Sequence, residues 1–590
     1  MGKIKKLFSL LRNYGIAATF RMVKVKLMSS QDAQNRRLAG LIEKSMSGDK
    51  LSLEQNRIFD YEPLFSILIP LYNTDVSMLK CVIESVLNQT YKKWELCLCD
   101  GSDKEHDYVE KLCMEYAKKD ERIRYKKIEE NLGISGNTNV CASMALGEYF
   151  GLADHDDVLH PSALYEVVSA LNEEKSDFIY TDEVTFEKNI NNIISSNFKP
   201  DYSKDTLRAN NYICHFTVFT KELFYKAGGF RREYDGSQDH DLFLRMTGMA
   251  ENIRHIPKVL YFWRAHEGSV VADVSVKEYA VSAGKRAVED YLHSVGINAE
   301  VKSTDVYPTI YKIDYPLPEN ALISIIIPNK NHAEDLKRCI DSVLQSSYKN
   351  FEVIIVENNS DEESIFEYYK KITDKRIKVI THNIPFNYSE LNNAGVYRAE
   401  GEYLLFLNND TKVINPKWLE EMLMFAARDD VGAVGARLFY ENNTLQHSYL
   451  ITGAGEDKVA IHAGLGLAKD DYGYLDRIGF NQNVNAVTAA CLMVKKHKFL
   501  EAGGFDEKLP VAYNDVDLCL KLRQSGYVNV YTPFATLYHY ESVSRGKDLD
   551  KEGKARLHKE AEYMCNKWGD YLKDPYYNPN FSTERQYVLK

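Results

Sequence analysis

The chain has 590 residues, 44% hydrophobic and 27% charged, which is enough apolar material for several soluble cores and excludes disorder as its main state. Lys and Arg number 74 against 85 Asp and Glu, and the net charge of −11 argues against the whole molecule coating nucleic acid or an anionic membrane. At about 150 residues per domain the length suggests roughly four units, or two if they are α/β domains of about 250 residues. Ten cysteines without a CxxC pair, two of them (Cys97 and Cys99) in an apolar strand-like run, read as reduced buried thiols rather than disulfides or a zinc site.

Charge is unevenly spread from the start. Residues 1–45 carry ten Lys or Arg against Asp32 and Glu43, a net +8, so the other 545 residues carry −19. Ile4, Leu7, Phe8 and Leu11 recur at helical spacing beside the lysines. That pattern fits a basic helix lying in a lipid headgroup layer; a solvated helix packed on its own domain is the alternative. No apolar run approaches the roughly 20 residues that span a bilayer, and residues 1–12 lack the apolar core and cleavage site of a signal peptide. The expected location is cytoplasmic, peripheral at the inner face of the plasma membrane.

An internal repeat then sets the architecture. FSILIPLYN at 65–73 returns as ISIIIPNKN at 323–331, with the prolines 258 residues apart. Each copy continues into a helical pattern, LKCVIESVLNQTY at 79–91 and LKRCIDSVLQSSY at 336–348. Each helix leads to a second apolar strand, WELCLCDGS at 94–102 and FEVIIVENNS at 351–360. Strand, helix, strand with continuous apolar strands describes a βαβ unit in a parallel sheet buried on both faces. Ligands of such sheets bind beyond the carboxyl ends of the strands, where Tyr72, Asn73, Asp100, Asn331 and Glu357 fall.

Farther along, GEYFGLADHDD at 147–157 puts carboxylates directly after an apolar run, and GEYLLFLNND at 401–410 repeats it. Carboxylates one residue apart at a strand end suit Mg²⁺ or Mn²⁺, which take one or two such ligands plus phosphate oxygens. Then GGF at 228–230 precedes QDHDLFLR at 238–245, and GGF at 503–505 precedes NDVDLCLKLR at 514–523. Both read as helix starts with acids in the first turn, so one acid per copy is open to a purely structural role. His266 in WRAHEGS and His539 in YHYESVS follow 27 and 24 residues after Asp239 and Asp515. Between metal motif and helix-start acid, copy two is longer, 105 residues against 83, with the extra stretch near Gln446, His447 and His462. Residues 552–572 read as a helix ending at Asp574-Pro575, for packing or self-association as a homo-oligomer.

These motifs, with NLGISGN at 131–137, resemble family 2 glycosyltransferases of the GT-A fold, twice, over about residues 62–275 and 320–550. The second copy is similar to the rhamnosyltransferase-like branch of bacterial surface polysaccharide (O-antigen or capsule) synthesis, through FNYS at 386–389, Asn392 and Asn393, LQH at 445–447, AVTAAC at 486–491 and DPYYNPN at 574–580. The resemblance implies an α/β chain of two tandem GT-A, Rossmann-like domains with mostly parallel sheets, at 62–275 and 320–550. Around them stand a basic helical region at 1–60, a linker at 276–319 and a C-terminal helix and tail at 551–590. It implies that Asp239 and Asp515 are the catalytic bases, that Tyr72, Asp100, Asn137, Asp154, Glu357, Asn393 and Asn408 bind the nucleotide sugar, and that Asp156, His266, Asp410 and His539 hold Mn²⁺ or Mg²⁺. Asn408 departs from the pattern where the first acid of Asp-x-Asp belongs. The implied activity is bifunctional, inverting hexosyl or deoxyhexosyl transfer from UDP- or dTDP-sugars to a glycan or lipid-linked glycan, with no nucleic-acid partner. Two alternatives stay open: one copy is a degenerate glycan-binding or scaffold module, or the chain is a nucleotidyltransferase, against which stands the lack of a Gly-rich basic loop after the first strand.

Overall fold

The computed structural model describes residues 31–265, 278–540 and 551–590. The apolar-basic pattern at residues 4–11 and His266 therefore lie outside the described residues. Among the described residues no helix is long and apolar enough to cross a membrane.

In the first half, β1 (Phe65–Leu71), β2 (Trp94–Asp100), β3 (Ile123–Lys127) and β4 (Tyr149–Leu152) form a parallel block in the order β3-β2-β1-β4. β5 (Val158–Leu159), β6 (Phe178–Phe186), β7 (Ile193–Asn197), β8 (Thr217–Thr220) and β9 (Ile253–Arg264) extend it as β4-β8-β6-β9-β5, with β7 beside β6. β8 runs antiparallel to β4, so the sheet is parallel on one side and mixed on the other. A hairpin of β10 (Glu300–Ser303) and β11 (Tyr311–Asp314) separates the halves. The second half repeats the plan with β12 (Ile323–Asn329), β13 (Phe351–Glu357), β14 (Ile377–Thr381), β15 (Tyr403–Leu407), β16 (Thr411–Val413) and β17 (Val431–Phe439). β18 (Leu445–His447) pairs antiparallel with β17 as β7 does with β6, and β19 (Leu450–Thr452), β20 (Ala460–His462) and β21 (Gln482–Val484) are added before β22 (Cys491–Lys495) and β23 (Val528–His539). The order β14-β13-β12-β15-β22-β17-β23-β16 matches the first sheet position for position.

The chemistry of this duplication is local. β1 and β2 are buried at every residue, as a parallel strand covered on both faces requires. The helix Val76–Leu87 starts at Asp75, whose carboxylate accepts the Ser77 and Met78 N–H groups at 2.8 and 3.3 Å, and it buries Leu79, Val82, Ile83 and Val86 on one stripe. Ala333–Leu344 buries Leu336, Cys339, Ile340 and Val343 at the same spacing. Fully burying an apolar side chain of this size contributes about 1.5–3 kcal/mol. Ser66 Oγ donates to Glu95 at 2.6 Å and accepts Gly147 N–H at 2.9 Å; Ser324 does the same with Glu352 at 2.6 Å and Gly401 at 2.8 Å. A Cβ on either glycine would sit 2.6 Å from a backbone oxygen, of Leu64 or Leu322, so β4 and β15 approach their neighbours only because that position has no side chain.

The stretch expected to be a linker is folded. Helix Glu278–Ser294 buries Ala283, Ala287, Val288 and Leu292, and Tyr311 in the hairpin donates to Val281 O at 3.0 Å. Helix Gln31–Ser45 is packed on the fold: Leu38 and Ile42 are buried, Asn35 donates to Ile194 O at 3.2 Å and Arg37 to Leu589 O at 3.2 Å. The helix expected near the end is Lys551–Trp568 followed by a 3-10 turn, Gly569–Leu572. It packs on the second half, with Trp568 Nε1 donating to Asp517 at 2.9 Å. Between the halves, Arg428 bonds the buried Asp205 at 2.5 Å and Lys204 pairs with Asp430 at 2.7 Å, while Arg208 donates to the OH of Tyr315, in the stretch that joins them, at 3.0 Å.

Candidate active site

The N-terminal cleft follows from strand register. Leu152 at the end of β4 pairs with Thr217 at the start of antiparallel β8, so two residues farther on Asp154 faces His215. His215 Nε2 lies 4.0 Å from Asp154 Oδ2. Asp157 completes a group whose ligand atoms all lie within 4.8 Å of one another. Tyr261 ties the three together: its hydroxyl accepts Asp154 N–H at 3.0 Å and donates to Asp157 at 2.7 Å, and its ring stacks on His215 with centroids 4.7 Å apart. Two carboxylates and an imidazole form a donor set that fits Mn²⁺ or Mg²⁺ with room for substrate oxygens.

Asp154 and His215 open into a cleft lined by Leu68 and Pro70 and by Gln238 and Asp239. Asp239 stands in the first turn of helix Gln238–Thr247. Burial pushes its pKa up to about 6, opposed only by the Gln238 amide, which donates to it at 3.3 Å. Burial likewise lifts Asp154 to about 6; His215 pulls it down while Asp156 and Asp239 push it up. Asp241 takes the structural role left open for one acid: it is fully buried between Arg231 and Arg245.

The remaining first-copy expectations divide. Asp156 stands outside the three-residue group, and its carbonyl accepts Arg264 Nε at 2.6 Å; Asp157 is the neighbour that joins Asp154. Tyr72 is exposed just past β1. Asp100 is fully buried and accepts Tyr125 OH at 2.7 Å, Lys127 Nζ at 3.0 Å and Ser102 N–H at 2.8 Å, so it shapes the turn after β2. Asn137 spends its amide on Leu132 N–H at 3.1 Å and Asn131 at 2.9 Å.

The second half places a different donor set at the equivalent strand ends. Asn408 occupies the position of Asp154, and its strand partner is Ala490, where the first half has His215; Asn408 N–H donates to Ala490 O at 3.1 Å. The imidazole comes instead from the end of β23: His539 Nε2 is 3.1 Å from Asp410 Oδ1 and 3.2 Å from Asn408 Nδ2. Gln446, on β18, holds His539 Nδ1 at 2.9 Å. Beside it the buried His447 accepts Thr488 N–H at 3.3 Å and meets His462 at 2.8 Å. Burial, with His462 and His539 nearby, keeps the His447 pKa well below the usual imidazole range. Asp515 opens helix Asn514–Gln524 and accepts Ala489 N–H at 3.1 Å, one residue from the partner of Asn408. Glu357 repeats Asp100, accepting Tyr369 OH at 2.6 Å and Ser360 N–H at 2.7 Å. Asn393 grips the Phe505 backbone at 3.0 and 3.1 Å, as Asn139 grips Phe230 at 2.8 and 3.0 Å.

Sequence patterns missed His215, and they placed Asp157 in the carboxylate cluster and Gln446 in the longer spacing without giving either a role. The available signal was the alignment of CHFTVF at 214–219 with AACLMV at 489–494, in which His215 faces Ala490.

The family model "Glycosyl transferase family 2" matches residues 66–228 and again 324–492. The chain belongs to glycosyl transferase family 2. Together with the two equivalent α/β sheets, this makes it a tandem family 2 protein of GT-A architecture. It is 41% identical over 532 residues to an uncharacterized protein, y4gI, of Sinorhizobium fredii, covering 89% of this chain and 58% of that one. It is 34% identical over 526 residues to the O-antigen biosynthesis protein RfbC of Myxococcus xanthus, covering 88% of this chain and 40% of that one. The family 2 chain thus spans about half the length of these curated relatives. Among solved structures, GalNAc-T7 with UDP, GalNAc and Mn²⁺ is similar at 14% identity and a TM-score of 0.35, over 45% of this chain and 50% of that chain.

Proposed function

We propose that the chain is a bifunctional inverting glycosyltransferase that adds sugars from nucleotide-sugar donors to a growing surface polysaccharide. The observation that carries this is the repeated pairing of a helix-start carboxylate, Asp239 or Asp515, with a strand-end group suited to a cation, Asp154 with Asp157 and His215 or Asp410 with His539. A bound Mn²⁺ or Mg²⁺ would neutralise charge on the leaving diphosphate. Asp239 accepts the proton of the acceptor hydroxyl as its oxygen bonds the anomeric carbon. The bond from that carbon to the phosphate oxygen breaks, its electron pair leaving with the nucleoside diphosphate. General-base help of this kind contributes about 10²–10⁴-fold. Attack opposite the leaving group inverts the anomeric centre, and no covalent nucleophile is needed. Asp515 does the same in the second cleft.

UDP- or dTDP-hexoses are the proposed donors, and a lipid-linked glycan at the cytoplasmic face of the membrane is the proposed acceptor. Membership of the family and the name of the Myxococcus relative support this assignment. The seven Lys or Arg residues of residues 1–30, with no acid among them, supply a candidate membrane contact. A screen of nucleotide sugars with the full chain tests the reading: Asp239→Asn should abolish one transfer step and Asp515→Asn the other. Substitution of Asp154 and His215 by Asn408 and Ala490 favours a second reading, a glycan-binding C-terminal half. Full product formation by Asp515→Asn, with weakened acceptor binding, would establish that alternative instead.

A further inference from the structure

The DPYYNPN tail at 574–580 does not finish on the half to which it is attached. Asn578 is almost wholly buried against the first half, where Nδ2 donates to both carboxylate oxygens of Asp182, at 3.1 and 2.9 Å, and to Lys199 O at 2.9 Å. Asn580 donates to Pro257 O at 2.8 Å, and Pro575 O accepts Asp201 N–H at 2.8 Å. Asp182 is in turn bonded to Lys199 N–H at 2.9 Å and to His255 at 2.9 Å.

The residues next to this latch hold His215. Glu183 accepts His215 N–H at 3.0 Å. Lys199 Nζ pairs with Glu183 at 3.3 Å and donates to the carbonyls of Ile213, at 2.5 Å, and His215. The peptide groups on both sides of His215 are thereby gripped by one ion pair, and neither partner has measurable contact with solvent beyond 3%. A buried ion pair is weak evidence for stability, because desolvation offsets the attraction. Here both charged groups are directed at the backbone of the residue whose ring faces Asp154. Partners of this kind orient metal ligands, and their loss typically costs 10–100-fold in metal affinity or activity.

We propose that Lys199 and Asn578 are positioning residues for His215, which makes the C-terminal tail a working part of the N-terminal active site. This rests on the reading of that cleft as the site of the cation and donor. The test uses the full chain carrying Asp410→Asn, so that the N-terminal cleft dominates, with Mn²⁺ as the probe in an EPR titration. His215→Ala and Lys199→Met should each weaken Mn²⁺ binding roughly 10–100-fold, and Asn578→Ala on the order of tenfold. Asn578→Ala should add nothing in the His215→Ala chain, since a residue acting through another is silent once that other is gone. In the chain without Asp410→Asn, Asn578→Ala should raise the donor KM of the step lost in Asp239→Asn and leave the step lost in Asp515→Asn unchanged. If Lys199→Met fails to fold, Asn578→Ala, with its thermal melt checked, carries the test alone. Wild-type Mn²⁺ binding by folded Asn578→Ala beside weakened His215→Ala would overturn the positioning and spare the cleft reading. Equal, additive losses would also overturn it, as the mark of a merely structural tail. Wild-type binding by every variant would overturn both the positioning and the cleft reading.

Discussion

Asp239 and Asp241 sit two residues apart on one helix and have opposite fates. Asp241 is surrounded by Arg231 and Arg245, whereas Asp239 faces the cleft with Gln238 as its hydrogen-bond partner. Removing the Asp241 charge strands two arginines, and breaking a buried pair of this kind costs about 3–5 kcal/mol; Asp241→Asn should show it as a lowered urea midpoint. Asp239→Asn should instead lower N-terminal transfer by about 10²–10⁴-fold with the fold intact. Because burial raises Asp239 to about 6, it is protonated below that pH and competent as a base above it. N-terminal transfer should therefore rise with pH to a plateau, with a midpoint near 6 in initial-rate measurements. The same shift works against the folded state: the protonated form is favoured in the fold, so stability falls as pH rises from the unfolded carboxyl value, about 4, through about 6. Asp239→Asn should melt slightly higher than wild type at pH 7. The helix-start acids were legible because charge at a first turn precedes an apolar stripe. His215 was not, because it meets Asp154 only through an antiparallel register that no local periodicity encodes.

At the scale of elements, the βαβ repeats were readable from continuous apolar runs, and the structure follows them down to Gly147 and Gly401. Gly→Ala at either position pushes a Cβ into a backbone oxygen and should destabilise by about 1–3 kcal/mol, read as a lower denaturant midpoint with an unchanged slope. The extra stretch of the second half was visible as a longer spacing, but its role was not. β18, the counterpart of β7, brings Gln446 onto His539, so a hairpin strand shared by both halves supplies a supporting side chain to the second site. Gln446→Ala should weaken C-terminal transfer roughly 10-fold or more while N-terminal transfer is unchanged. The helix within the segment expected as a linker carries an apolar stripe, Ala280, Ala283, Gly284, Ala287, Val288, Tyr291 and Leu292, but four of the seven are small residues, so the stripe stands out weakly in the sequence.

Across the whole molecule, the halves are joined by charge. Burial raises the Asp205 pKa, but Arg428 and Arg208 together outweigh it and hold the carboxyl below its usual range. A depressed carboxyl pKa contributes stability that is fully present above the unfolded value, about 4, and is lost as pH falls through the folded one. Calorimetry should accordingly show the interface holding above pH 4 and weakening below it, and Asp205→Ala should split or broaden the unfolding transition. Two units were predictable from the repeat; their union was not, since Asp205, Arg428 and Asn483 lie far apart in sequence without a shared pattern. The bond from Asn578 to Asp182, 396 residues apart, has a further consequence in time. A chain emerging from the ribosome makes every residue of the first cleft long before it makes the tail that braces it. Closing so long a loop is slow, so the first half should mature only after translation has delivered residues 574–580, and a nascent chain not yet extended to them would carry its own N-terminal domain in an unfinished state.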